Sequence, residues 1–187
     1  MSTIYFTTAS VDGFLADEEG SLDWLFEVPR DIDPHEEVGA FFSRVGAFAM
    51  GATTYRWMID NLGVLEDPDE WRSWYDSVPA WVFTHRHLPP VPGIPIRFVA
   101  GDVRTVHQHM VETAGSKDVW LVGGGELVGA FDDAGLLDEI HVAIQPVILG
   151  GGAPLLPRRI PPSRLELQSV ERLGQSSTLV YRVTPRP

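Results

Sequence analysis

The chain has no cysteine among its 187 residues. That absence excludes disulfides, thiolate metal sites and cysteine nucleophiles, and it fits a reducing compartment. Lysine is nearly missing as well, with Lys117 alone against a net charge of −12. No basic stripe exists to displace counterions from phosphates, so nucleic acid is not an expected partner. No apolar run approaches the roughly 18 residues that span a bilayer, and no basic segment precedes Ile4-Tyr5-Phe6 as a secretory leader would require. The expectation is a cytoplasmic protein without membrane contact. Two catalytic signatures are absent too: the nucleophile elbow G-x-S-x-G and the spaced dinucleotide fingerprint G-x-G-x-x-G.

What is present is organised around Asp118-Val-Trp-Leu-Val-Gly-Gly-Gly-Glu-Leu-Val-Gly-Ala-Phe131. Val119 to Val122 form an apolar, β-branched run bounded by a charge and by glycines, the pattern of a strand buried on both faces. Three glycines follow, and then Glu126, Leu127, Ala130 and Phe131 fall at the spacing of a short amphipathic helix. Glycine at such a junction lets backbone approach a bulky anion, and the first free N–H groups of the helix aim at it with the positive end of the dipole behind them. A cofactor pyrophosphate is one occupant consistent with this unit. A tight turn that binds nothing is the other.

Along the chain, residues 3 to 9 are β-branched and aromatic and predict a first strand. Residues 10 to 24 form a loop too long for a plain connection, which in a compact domain points to function. Pro34, Val38, Phe41, Phe42 and Val45 predict a helix over about 34 to 45. Ala47 to Met50 reads as a strand ended by Gly51, with Thr53 or Thr54 as the cap of a helix through about Asn61. Residues 62 to 78 resemble an insertion with some helix around Trp71 to Tyr75, where the aromatics serve either as a lid or as packing. Strands are predicted at 80 to 84 and 96 to 100, with Asp102 capping a helix through about Thr113. Another strand runs from Glu139 to Val147, and a loop rich in glycine and proline follows to Pro157. The strands 165 to 172 and 178 to 183 close the chain about a turn near Gly174 to Ser177. Alternating strands and helices predict one α/β domain: a largely parallel sheet with helices on both faces and an antiparallel C-terminal hairpin.

In order and placement, four motifs resemble the dihydrofolate reductase-like family, and most closely the C-terminal reductase domain of the riboflavin-biosynthesis deaminase-reductase. They are Ser10-Val-Asp-Gly-Phe14 with Trp24 downstream, Met50-Gly-Ala-Thr-Thr-Tyr55, Val82-Phe-Thr-His-Arg86, and Val122-Gly-Gly-Gly-Glu126. The resemblance implies a three-layer α/β/α fold and an NADPH-dependent reductase that passes a hydride to a small heterocyclic metabolite. It implies that Val122, Gly123, Gly124, Gly125, Glu126 and Leu127 hold the pyrophosphate and nicotinamide side. Gly51, Thr53 and Thr54 then bind phosphate, Thr84, His85 and Arg86 surround the adenosine end, and Leu15 and Ala16 lie over the nicotinamide. Arg86, with a planar fork suited to a phosphate monoester, is the expected partner of a 2′-phosphate. Trp24, Glu36 and Glu37 fall where the family binds its substrate, and Asp12 and Asp23 are the carboxylates expected as proton relay or anchor.

Departures from the family pattern narrow the expectation. Ala52 stands where folate reductases carry a base, and Ala143 where they carry threonine, which turns the reading away from folate. Without cysteine the chain cannot supply the zinc site of the companion deaminase, so a free-standing reductase is expected. A phosphoribosyl substrate calls for cations, and Arg158 and Arg159 are the candidates. The pair His85 and His87 lacks a visible third metal ligand. Ile148, Leu149, Leu155, Leu156 and Ile160, crowded among prolines and glycines, point to an apolar surface and hence to a homodimer.

Overall fold

The computed structural model describes residues 1–28, 39 and 41–186. Eight strands form the main sheet: β1 (Thr3–Ser10), β3 (Val45–Gly51), β4 (Ala80–Phe83), β5 (Ile96–Val99), β6 (Asp118–Gly123), β7 (Glu139–Gln145), β9 (Leu165–Leu173) and β10 (Ser176–Val183). Their order is β5-β4-β3-β6-β1-β7-β10-β9, parallel from β5 to β7 and antiparallel across β10 and β9. This is the expected parallel sheet with its C-terminal hairpin.

Period-two alternation along the central strands divides the core into two layers. Ala47, Ala49, Trp81, Val119 and Leu121 face one side, where α4 (Val103–Ala114) brings Val106 and Met110 and α5 (Gly125–Asp133) brings Val128 and Phe131. Phe48, Met50, Val82 and Trp120 face the other, where α2 (Ala52–Leu62) brings Tyr55 and Met58 and α3 (Pro68–Tyr75) brings Trp71. In β3 the alternation slips once, at a bulge between Val45 and Ala47. Gly46 sits there because a Cβ would lie 2.7 Å from the Ala114 carbonyl oxygen. Each large side chain sealed in these layers contributes about 1.5–3 kcal/mol.

Several local readings change. The region 62 to 78 is more ordered than expected: Asp67 accepts from Asp69 N–H and starts α3 at Pro68. Trp71 is fully buried and Tyr75 packs beside it against Phe48, so these aromatics are packing and not a lid. Asp102 does cap α4, through Arg104 N–H. No threonine caps α2, because β3 runs straight into it and Gly51 takes the cap position. The helix expected over 34 to 45 lies largely outside the described residues, as do Glu36 and Glu37. Gly39, Phe41 and Phe42 are helical, and Phe41 packs edge-on against Phe6 and Trp120.

The two long loops also carry structure. Residues 10 to 24 contain the short strand β2 (Phe14–Ala16) and lead into α1 (Trp24–Glu27), and β2 pairs with β8 (Ala153–Pro154) from the loop after β7. Leu155, Leu156 and Ile160 turn back onto the core between sheet and α5, whereas Ile148 stays exposed. Most of the apolar surface expected of that loop is therefore used within the chain.

At the C-terminal end of α5, Asp132 is fully buried and held by both arms of Arg164, at 2.7 and 3.2 Å. Arg186 joins Asp132 to Asp133, and Arg158 joins Asp133 to Glu126 at 3.0 and 2.9 Å. Burial pushes the Asp132 carboxyl up, but Arg164 and Arg186 outweigh it and leave it below the usual carboxylate range. His107 is half-buried and shares a 2.8 Å hydrogen bond with the Thr3 hydroxyl. Among the described residues no helix is long and apolar enough to cross a membrane.

Candidate active site

Two neighbouring strands of the sheet end in glycine and feed helices on opposite faces. β3 passes through Gly51 into α2, and β6 passes through Gly123 and Gly124 into α5. Because β3 and β6 are parallel and paired, both junctions lie at the same end of the sheet. Helices diverging in this way from adjacent strand ends mark the topological position at which open α/β sheets form the crevice that binds ligands. Among the described helices of eight or more residues, α3 and α4 are capped by aspartate side chains, and the two that flank this crevice have no side-chain cap. Their first N–H groups are free of an internal acceptor at the spot where an anion would lie.

The three glycines of the organising stretch have different jobs. Gly123 has φ +144, a conformation that L side chains rarely adopt, and the Gly123–Gly124 peptide is cis. Gly124 has φ −81, and a Cβ on it would meet nothing within 4 Å. Its missing side chain leaves open space at the crevice. Gly125 is different: a Cβ would lie 2.6 Å from the Leu155 carbonyl oxygen and 2.8 Å from that of Pro154. Four residues on, a Cβ on Gly129 would lie 2.8 Å from Arg158 Cγ. Gly125 and Gly129 form a groove along α5 in which residues 154 to 158 lie, and only the N–H of Gly125 remains for a ligand. The spacing G-x-x-x-G carried this signal, and the sequence reading missed it.

On the far side of Gly51, β4 ends at Phe83 in register with it. Thr84 accepts from Arg86 N–H at 2.9 Å through its hydroxyl, a local turn that leaves His85 and Arg86 exposed at the same end of the sheet. Thr53 and Arg56, three apart on α2, are exposed together. Gly51, Thr53 and Thr54 lie on one side of the paired junctions and Val122 to Glu126 on the other, with Thr84 to Arg86 beyond Gly51, while Leu127 packs on the core and gives its N–H to the Gly124 carbonyl at 3.0 Å.

The loop after β1 is placed over the neighbouring strand ends. Ala16 is buried against β8 and Leu15 is half-buried. Asp12 accepts from the Ser10 hydroxyl at 2.6 Å, from Leu149 N–H at 3.1 Å and from Gly150 N–H at 2.7 Å. The Ser10 hydroxyl, and after it the Gly150 and Leu149 N–H groups, hold the Asp12 carboxyl below the usual range. Such a group is a poor proton donor near neutrality. Asp23 is exposed at the start of α1, its N–H given to the Ser21 hydroxyl. Next to it Trp24 is 5% exposed, and its buried indole Nε1 has no hydrogen-bond partner among the described residues. A buried N–H left unmade costs about 1–3 kcal/mol, and a bound acceptor would relieve it. Arg158 is committed to Glu126 and Asp133, and Arg159 is exposed. A hollow lined by Ser2, Asp138, Glu139, Arg182 and Thr184 lies at the N-terminal end of β7, away from the crevice.

Sheet, helices on both faces and the antiparallel C-terminal hairpin define a three-layer α/β protein with two glycine-to-helix junctions side by side at its strand ends. The comparisons with known proteins make this specific: residues 2–179 match the family model for the RibD C-terminal domain, and the chain belongs to that family. A Bacillus subtilis (strain 168) relative, the uncharacterized protein YwjB, is 28% identical over 186 residues, covering 96% of each chain. The crystal structure of a riboflavin biosynthesis protein assigned as putative, from Shewanella sp. PV-4, superimposes with a TM-score of 0.77 at 26% identity over 98% of this chain and 99% of that one. Dihydrofolate reductase from Enterococcus faecalis, complexed with NADP(H), shares the fold with a TM-score of 0.62 at 12% identity, over 97% of this chain and 96% of that one. The dihydrofolate reductase-like architecture expected from the four motifs is the one observed.

Proposed function

We propose that the chain is an NADPH-dependent reductase acting on a small heterocyclic metabolite, with 5-amino-6-(5-phosphoribosylamino)uracil reduction as the nearest chemistry. The observation that carries the reading is the pair of uncapped helix N-termini meeting at Gly51 and Gly124, with open space at Gly124. The residues fit the cofactor. N–H groups at Gly125 and Glu126 would take the pyrophosphate, Thr53 and Thr54 a further phosphate oxygen, and Arg86 the 2′-phosphate. NADPH, when bound, supplies the hydride.

What the chain must do is hold the acceptor carbon against the nicotinamide, exclude water and deliver a proton. The loop from Val11 to Trp24, tied to the loop after β7, provides the cover. Trp24 offers its buried N–H to a substrate carbonyl or ring nitrogen, and Asp23, exposed beside it, is the carboxylate assigned to move a proton. Ala143 leaves no hydroxyl where folate reductases have one, which favours a pyrimidine-like ring over a pterin. With Arg158 held by Glu126 and Asp133, a substrate phosphate would rely on Arg159. A homodimer belongs to the same reading, since Ile148, Leu167 and Val170 remain exposed.

The test is an NADPH titration followed by an oxidation assay across pyrimidine and pterin panels. Binding and substrate-dependent oxidation support the reading. Binding without oxidation of any ring would favour a ligand-binding module that kept the fold and lost turnover. No binding would overturn both.

A further inference from the structure

Asp12 lies where two loops distant in sequence are sewn together. Beside its three hydrogen bonds to Ser10, Leu149 and Gly150, Val11 N–H donates to the Val147 carbonyl at 2.8 Å and Leu155 N–H to the Gly13 carbonyl at 2.9 Å. Phe14 stands opposite Pro154 and Ala16 opposite Ala153. The contact is too close for a side chain at Gly152, where a Cβ would run into the Ala16 carbonyl and the Asp17 backbone, while Gly151 lies beside the flexible end of Glu18. At its other end the same loop lies in the Gly125–Gly129 groove of α5. It therefore runs from the Asp12 carboxylate to the helix whose N-terminus faces the crevice.

We infer that Asp12 is a positioning residue, which through Leu149 and Gly150 makes residues 11–17 and 147–155 a single clamp over the cofactor. The inference rests on the reading of the crevice as a cofactor site and reassigns Asp12 within it. A carboxylate suits the task because three donors converge on it, two on Oδ1 and one on Oδ2, and an ionised acceptor makes each bond shorter and stronger. Asparagine has one acceptor oxygen, and its amide NH₂ would point at a backbone N–H. The Ser10 hydroxyl completes the arrangement, since it donates to Asp12 and accepts from Phe14 N–H at 2.9 Å.

The experiment compares wild type with Asp12→Asn by hydrogen exchange of the free protein, thermal melting and NADPH titration. Exchange is expected to rise at least tenfold in both 147–152 and 13–17, and the dissociation constant for NADPH to rise at least tenfold. Once a substrate is found, kcat should fall without loss of either limb of its pH profile. Faster exchange in 147–152 alone would overturn the clamp. Unchanged NADPH affinity with both loops loosened would overturn the positioning role, and a lost limb in the pH profile would make Asp12 a proton donor instead. A wild type that does not bind NADPH is a failure of the proposed function, visible before any variant is made, and the exchange data then judge the clamp alone. If Asp12→Asn does not fold, Ser10→Ala removes one donor and is expected to loosen both segments together, by less.

Discussion

A Cβ atom on Gly51 would lie 3.9 Å from the amide nitrogen of Gly124, so the caps of two helices on opposite faces of the sheet are immediate neighbours. Anything anionic bound by one helix is within reach of the other.

Gly124→Val should fold and fail to bind NADPH. The backbone at φ −81 and ψ 178 is one a β-branched residue adopts, and a Cβ there meets nothing within 4 Å among the described residues. The new side chain fills the space left for the pyrophosphate. Circular dichroism checks the fold, and unchanged affinity in the titration would refute the assignment.

Gly125→Ala should behave in the opposite manner, as a stability variant. Its Cβ meets the Leu155 and Pro154 carbonyl oxygens at 2.6 and 2.8 Å, and backbone cannot step aside cheaply. Overpacking of this kind costs about 1–3 kcal/mol. A lowered melting temperature checks it, and a melt indistinguishable from wild type would show that the loop does not lie in the groove.

Arg86→Ala should weaken NADPH far more than NADH. Thr84 fixes the turn through the Arg86 backbone N–H, so losing the side chain leaves the turn in place. The loss expected for one charge-assisted contact is about 1.5–3 kcal/mol. Equal losses for both cofactors in parallel titrations would show that Arg86 serves a phosphate they share.

Acid should loosen the end of α5 through Asp132. Its folded pKa is depressed, so the stability it contributes is present above its unfolded value of about 3.9 and is lost as pH falls through the folded value. Asp132→Ala should cost about 3–5 kcal/mol at neutral pH by leaving Arg164 buried and unpaired. The gap to wild type should narrow as the acid limit is approached. Denaturant unfolding from neutral to strongly acidic pH checks both statements, and a gap that is constant with pH would refute the second.

The sheet and the crevice were legible in the sequence because both rest on local patterns. Val119 to Val122 alternates between the two core layers, and the strands ending in Gly51 and Gly123 pass straight into helices. Contacts between distant segments were not legible. Nothing in Asp12-Gly13 names Leu149 and Gly150 as partners, so its carboxylate read as chemistry when the structure gives it backbone to hold. Arg158 likewise read as a phosphate ligand, whereas Glu126 and Asp133 take it. Leu155, Leu156 and Ile160 read as exposed because their cover, α5, lies earlier in the chain. Gly125-x-x-x-Gly129 was the one long-range signal that spacing did carry.

The ring of charges around α5 has an electrical consequence. Aspartates at the C-terminal end of a helix add to its negative pole, which is unfavourable when they stand alone. Here Glu126, Asp132 and Asp133 are matched by Arg158, Arg164 and Arg186, one guanidinium for each carboxylate. The far pole of the helix is thereby neutralised by residues drawn from the end of the chain, and so is the carboxylate in its first turn. What α5 would present to an anion is then the bare field of its own N–H groups, in a protein of net charge −12.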